Sequence, residues 1–380
     1  MKNIFGFLYR ANLYSLLIAA KFATLLFWQM IQAAEQDYFG QYALCLGLTS
    51  TFFIFAGMRG RVYVFGGIDA WRDFLALSGF MALFGMIALA IVAVLYADHP
   101  LAQLLLLVGL SKFAEMFLDA NTSYIQKVLG RDAAYRLLNQ HSVMLGLSFL
   151  IGLVLGGLHA AILSEIAVLT FTLFRQARKF SRGLEPELVT VRGARDVLRG
   201  GAELTLAATL NSAIVTLFLF WGSAALPEAS VFAIAKILAL QAFCARVITN
   251  NNIFFLRELN QRHSHISRLG KQFAFVSLLS LTAVWPITLF FTDLMALYCF
   301  GAVFTFANVA SVVIRQQLLL NSVVRPLIAV HAIELGLLLA FWYGLGPSAI
   351  IAFASFTLLR IARLMLFTLL ISQRMSSSFP

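Results

Sequence analysis

Lys21, Glu165, Lys236, His331, Glu334, Arg360 and Arg363 all fall deep inside long apolar stretches of the chain. An ionisable group in hydrocarbon costs about 2.5–3.5 kcal/mol, so residues of this kind are kept to pair with one another, to hold a charged ligand or to move a proton. Lys21 lies near the middle of its stretch, with Tyr14 and Trp28 at seven-residue spacing on the same helical face. A cation flanked by rings suits an anionic sugar phosphate, the ammonium acting as a point charge and the rings as stacking surfaces. The same two rings also fit the aromatic belts at the membrane surfaces. Lys236 sits closer to one end of its own stretch, with Leu240 and Phe243 on its face, where it serves either as a second cationic ligand or as a side chain that snorkels outward.

His331 and Glu334 are one helical turn apart, and so are Arg360 and Arg363. An antiparallel hairpin about residues 344–347 brings Arg360 to the depth of His331, with Glu334 about 4.5 Å further along the axis at about 1.5 Å per residue. Two roles follow. Glu334 and Arg360 neutralise each other and hold two helices together, or Glu334 and His331 exchange a proton that frees Arg360 or Arg363 for a phosphate. Glu165 reads as a lone carboxylate, either protonated and buried or an ion-coupling site. Lys112, Glu115, Asp119, Thr122 and Gln126 run down one stripe in which Lys112 and Glu115 pair, and most of it reads as structural.

The elements that must position these groups are apolar helices. The chain is 61% hydrophobic and 12% charged, with 36 Phe and 7 Pro in 380 residues, which is far from soluble globular composition. Crossing about 30 Å of hydrocarbon takes about 20 apolar residues, and twelve such runs are predicted, near 12–31, 38–58, 74–96, 101–120, 137–156, 159–175, 201–221, 229–249, 272–291, 294–313, 323–343 and 348–370. Odd-numbered connections contain no Lys or Arg; they include 97–100, 156–158, 222–228 and 344–347. The others are basic: Lys2 and Arg10; Arg59, Arg61 and Arg72; Lys127, Arg131 and Arg136; Arg175 to Arg199; Arg257 to Lys271; Arg315 and Arg325. Because translocated loops shed cations, this alternation predicts an all-α polytopic membrane protein with both termini inside. The first apolar run is long and lacks a cleavage site, so it is expected to remain as a span.

The longest connection divides the chain into an N-terminal six-helix bundle (1–182), a cytoplasmic linker (183–200) and a C-terminal six-helix bundle (201–380). Tyr42-Ala43-Leu44-Cys45 is echoed by Phe232-Ala233-Ile234-Ala235 at an offset of 190 residues, half the chain length. Parallel repeats of that kind place a substrate cavity between the bundles near the midplane.

Other functions are disfavoured. The outside turns are too short for the catalytic loop of a glycan polymerase or ligase, and the longest inside loop is too small for a nucleotide-sugar domain. There is no Gly-Lys-Ser/Thr phosphate loop. Cys45, Cys244 and Cys299 lie in apolar segments and offer neither a disulfide framework nor a metal-ligand spacing. His263 and His265 stand in a basic loop without acids or thiols and read as solvated, and Asn250-Asn251-Asn252 reads as a helix end. No cofactor, metal or catalytic residue is expected. The net charge of +11 is spread over loops rather than gathered on one domain, which argues against a nucleic-acid partner.

Tyr38-Phe39-Gly40-Gln41-Tyr42-Ala43, in a helix ending at Gly57-Met58-Arg59-Gly60-Arg61, resembles the second helix of Wzx-type polysaccharide flippases, the lipid-linked oligosaccharide transporters of the MOP superfamily, which carry an FG-x-Y-A element there. Ser230 to Ile237 is similar to the same element in their second half, and Gln126-Lys127-Val128-Leu129-Gly130-Arg131 resembles their Gly-Arg element. The resemblance extends to the topology of the whole chain, which is somewhat shorter than many relatives. It implies an ion-coupled, alternating-access transporter (flippase) of polysaccharide biosynthesis in the bacterial cytoplasmic (inner) membrane, with an undecaprenyl-type lipid-linked oligosaccharide as substrate. Membrane lipids surround it, and a glycan polymerase and glycosyltransferases are its expected partners. It also implies that cations on the first and eighth helices line the cavity, which places Lys21 and Lys236 there by position; Arg360 and Arg363 as further ligands and Glu334, His331 and Glu165 as coupling groups rest on the residue pattern above and not on the resemblance. A multidrug or cation antiporter of the same superfamily, which would favour acidic cavity residues, and a non-transporting subunit of glycan polymerisation are the alternatives.

Overall fold

In a computed structural model of the chain, residues 21–25, 27–28, 37–58, 64, 70–181, 191–255, 295–320, 324–345 and 348–377 are described. Among them there is no strand, and the long elements are helices. They are α1 (Tyr38–Ala56), α2 (Trp71–Leu95), α3 (Ala102–Leu129), α4 (Arg131–Ser181), α5 (Val191–Ala225), α6 (Glu228–Phe255), α7 (Met295–Leu320), α8 (Arg325–Leu345) and α9 (Ala349–Ser377). Residues 21–25 are helical as well. Most of the remainder of the first expected span and the whole of the ninth, 272–291, lie outside the described residues. Residues 191–200, expected in the linker, belong instead to α5, whose apolar face begins earlier than a hydropathy count suggests: Val197 packs with Phe74, Leu77, Met81 and Tyr124.

Local chemistry sets the ends. The Asp37 carboxylate accepts from the Gly40 amide at 2.8 Å, capping α1. Pro227 and Pro326 stand at the starts of α6 and α8, where a missing amide hydrogen costs nothing. α4 is a hairpin of two arms. Gly157 turns the chain with φ 71° and ψ −160°, a conformation reserved for glycine, beneath the Tyr38 hydroxyl. The Ser164 hydroxyl reaches across to the Ser148 carbonyl at 2.6 Å, which makes the arms antiparallel. They meet closely because Gly152 has no side chain: a Cβ there would lie 2.6 Å from the Ala160 carbonyl oxygen and 2.7 Å from the Ala161 Cα. Gly152→Ala is therefore expected to destabilise the protein by about 1–3 kcal/mol. Gly79→Ala, where a Cβ meets nothing within 4 Å, should be neutral or mildly stabilising in the same thermal unfolding experiment.

The chain divides into two compact units, Met1–Thr216 and Leu217–Pro380. In the first, α3 packs along α4, and α1, α2 and α3 pack on one another. In the second, α7 lies against α6 and α9, and α8 lies against α9. Both are inverted relative to a water-soluble protein. Leu83, Met86, Ile87, Ile91 and Val94 on α2, and Val143, Met144, Leu147, Leu150, Ile151 and Val154 on α4, face outward, while Lys21, Glu165, Lys236, His331, Glu334, Arg360 and Arg363 face inward. So much contiguous apolar surface is compatible with lipid and not with water. Among the described residues six helices are long and apolar enough to cross a membrane: Tyr38–Ala56, Trp71–Leu95, Arg136–Arg178, Gly201–Ala225, Arg325–Gly344 and Ala349–Leu370.

Candidate functional site

In the first unit the Lys21 ammonium pairs with the Glu165 carboxylate, across 144 residues of sequence, with both side chains at most 5% exposed. The carboxylate that looks solitary in sequence is thus not alone: the second arm of α4 presents Glu165 to the first apolar segment. Lys21 also stands over the Phe149 ring at 5.3 Å from its centroid. Phe149 comes from the first arm of α4, and Tyr42 and Phe22 complete the aromatic setting, with Tyr42 edge-on to Phe149 at 6.2 Å and Phe22 tilted against Phe39 at 5.2 Å. Phe149 is thus a ring that meets Lys21 beyond the two, Tyr14 and Trp28, that heptad spacing offered. Tyr14 lies outside the described residues, and Trp28 is half-buried. The Tyr38–Ala43 element is the packing node of this region. Phe39 is buried against Phe22, buried Gly40 follows it, and Tyr42 lies on Phe149. The second oxygen of Glu165, Oε2, is buried without a hydrogen-bond partner.

In the second unit Glu334 is the hub. Its Oε1 lies 3.1 Å from Arg360 Nε, and its Oε2 lies 3.3 Å from an Arg363 terminal nitrogen and 3.6 Å from His331 Nδ1. The antiparallel arithmetic for α8 and α9 anticipates the first contact, and the helical repeat brings Arg363 to the same carboxylate. Arg363 also donates to the Asn308 side-chain oxygen on α7. The guanidiniums are backed by rings: Arg360 lies 4.8 Å from the Phe356 centroid and 5.9 Å from that of Phe304, and Arg363 lies 5.9 Å from that of Phe367. His331 is fully buried, edge-on to Phe367, and neither of its ring nitrogens makes a hydrogen bond. Burial of these groups next to one carboxylate makes a clamp in which two cations share an anion, a geometry that survives only if every member stays paired.

Lys236 on α6 is buried at 2% exposure, which keeps its ammonium within the protein rather than snorkelling. Lys112 and Glu115 pair at 2.5 Å along one face of α3, as their spacing suggests. Cys45 and Cys299 are free thiols. Asn308 is a ligand that the sequence reading does not single out, although a polar residue in an apolar run was the signal for it. Phe149, Phe304 and Phe356 gave no such signal, since nothing distinguishes them from the other phenylalanines until the fold places a cation over each. Among the described residues no group of His, Cys, Asp and Glu has the makings of a metal centre.

No family model matches the sequence, and neither does any curated protein. Solved structures do match. A MATE protein in its straight conformation superposes with a TM-score of 0.56 at 13% identity, covering 97% of this chain and 94% of that one. A MOP superfamily transporter from Pyrococcus furiosus, for which reversed polarity of the binding pocket suggests a different function, gives 0.52 at 12% identity over 97% and 96%. An outward-facing multidrug resistance MATE transporter of the same superfamily gives 0.50 at 10% over 98% and 96%. With helices and no strand among its described residues, the chain is thus a multi-pass membrane protein with the fold of the MATE transporters of the MOP superfamily.

Proposed function

We propose that the protein is a flippase that moves an undecaprenyl-type lipid-linked oligosaccharide across the bacterial cytoplasmic membrane by ion-coupled alternating access. In this reading twelve spans form two six-helix bundles with both termini in the cytoplasm. Lys21, Lys236, Arg360 and Arg363 serve the pyrophosphate and sugar, and Glu165, Glu334 and His331 exchange the coupling ion. The observation that carries the proposal is the sharing of Glu334 between two guanidiniums. One of them can turn to a substrate anion while the other keeps the carboxylate neutralised, so an anionic ligand is taken up without exposing a bare buried charge. Lys21 on Glu165 is a simpler version, in which protonation of the carboxylate releases the ammonium.

The fold alone is equally compatible with multidrug export. For a cationic drug the released partner must be a carboxylate, and a Glu334 clamped by two guanidiniums is poorly arranged for that. The Pyrococcus furiosus neighbour, in which pocket polarity suggests a different function, illustrates that the sign of charge can separate functions on this scaffold. Depletion of the protein in its host tests the reading: lipid-linked oligosaccharide should accumulate in the inner leaflet, inaccessible to a periplasmic glycan-modifying probe. Unchanged leaflet distribution together with new sensitivity to lipophilic cations would favour the multidrug reading.

A further inference from the structure

The two arms of α4 change character with distance from the turn at Gly157. Leu145 on the first arm and Leu169 on the second share an apolar layer with Ala114 and Leu118 of α3. Beyond that layer the same two faces become polar: one turn back from Leu145 come Ser142 and His141, and two turns on from Leu169 comes Gln176. Because the arms are antiparallel, Asn139 and Gln176 stand at one depth. These side chains are enclosed, with His141 7%, Ser142 1% and Gln176 5% exposed. Yet Asn139 Nδ2, His141 Nδ1, Ser142 Oγ and both polar atoms of the Gln176 amide are buried without a hydrogen-bond partner. Orphaned polar atoms destabilise a fold, so a group of them at one place marks a seat for something else. A second observation concerns the rim. Arg175 is exposed and within electrostatic reach of the His141 ring, and Arg136 and Arg178 are exposed at the same end of the hairpin. Directly beside them Val143, Met144 and Leu147 on the first arm, and Phe171 and Phe174 on the second, face outward.

We infer that this end of the α4 hairpin is a binding site for the headgroup of an anionic phospholipid of the phosphatidylglycerol class, with Arg175 on the phosphate and Asn139, His141, Ser142 and Gln176 around the phosphate ester and its alcohol. Phosphate oxygens are acceptors, and the orphaned atoms are mainly donors: two amide nitrogens and a hydroxyl, with a guanidinium beside them to supply the charge. Gln176 Oε1 is the acceptor of the set, and it answers a donor that a bare phosphate lacks, the glycerol hydroxyl. The apolar flank completes the match. Val143, Met144, Leu147, Phe171 and Phe174 run from the basic rim toward the turn, so acyl chains lie along them while the phosphate stays at Arg175. Basic pockets between transmembrane helices hold anionic headgroups in this manner. Zwitterionic phosphatidylcholine fits poorly, since it brings a quaternary ammonium to Arg175 and no hydroxyl to Gln176. Inorganic phosphate has the charge but leaves the flank uncovered.

Thermal unfolding of the full chain in detergent tests the site, with phosphatidylglycerol, phosphatidylcholine or inorganic phosphate added at constant ionic strength. The midpoint should rise saturably with phosphatidylglycerol and not with the other two. Arg175→Gln should weaken the apparent affinity for phosphatidylglycerol by about tenfold or more, while Arg199→Gln, which removes an equally exposed cation from α5, should leave it unchanged. Gln176→Met should act in opposite directions in the two states: the lipid-free midpoint rises because an orphaned amide is gone, and the response to phosphatidylglycerol shrinks. Equal responses to both phospholipids overturn the inference, and so does a response to inorganic phosphate alone. Equal weakening by Arg175→Gln and Arg199→Gln would reduce the site to a diffuse basic rim. A lower lipid-free midpoint in Gln176→Met would show that the amide is already satisfied within the fold, which also overturns it. No transport and no glycolipid enter the measurement, so its outcome is separate from that of the flippase reading.

Discussion

Glu334→Gln is expected to destabilise the protein by about 3–5 kcal/mol, the scale for stripping one partner from a buried charge pair. The reason is local. Glu334 answers Arg360 and Arg363 at once, with His331 3.6 Å from the same carboxylate, so the neutral amide breaks two buried ion pairs in a single substitution. Arg360→Gln breaks only one of them and leaves Arg363 on the carboxylate, so it should cost about 1–3 kcal/mol less. The ordering is the sharp part of the prediction: unfolding midpoints in detergent should fall as wild type, Arg360→Gln, Glu334→Gln. Equal losses would show that the two guanidiniums do not depend on the same acid.

Lys21 and Glu165 should behave as a unit. Lys21→Met and Glu165→Leu each leave one charge buried, at an expected cost of about 3–5 kcal/mol. The double replacement leaves none, and apolar side chains beside Phe149 and Phe22 fit the surroundings, so it should be more stable than either single change. If the pair serves transport as proposed, that stable double variant is inactive, which separates fold from function. The charge-swapped Lys21→Glu, Glu165→Lys protein should recover stability. Additive losses in the double variant would mean that the two side chains act independently.

The membrane character was legible from composition and from segment length, because an apolar run of about 20 residues has few other uses. The hairpin turn at Gly156–Gly157 was legible for the same reason, and the meeting of Glu334 with Arg360 followed from counting back on both sides of a short turn. Long-range partners were hidden. Glu165 looks solitary in sequence because its cation lies on a different segment 144 residues away, and helical periodicity carries no information about which helices become neighbours. Same-helix spacing offered Tyr14 and Trp28 to Lys21 and gave no sign of Phe149, which packing supplies from another helix. The start of α5 was obscured for a different reason: Arg192, Arg195 and Arg199 lower the hydropathy of a stretch whose Val197 is nonetheless buried.

The central claim is that this scaffold carries an anion. Purified protein in proteoliposomes, given a fluorescent undecaprenyl-pyrophosphate oligosaccharide in one leaflet and, separately, a lipophilic cation in the lumen, puts it to the test. The account predicts translocation of the glycolipid, abolished in Lys21→Glu, and no movement of the cation. Export of the cation with the glycolipid left in place, or glycolipid movement unchanged by Lys21→Glu, would contradict it.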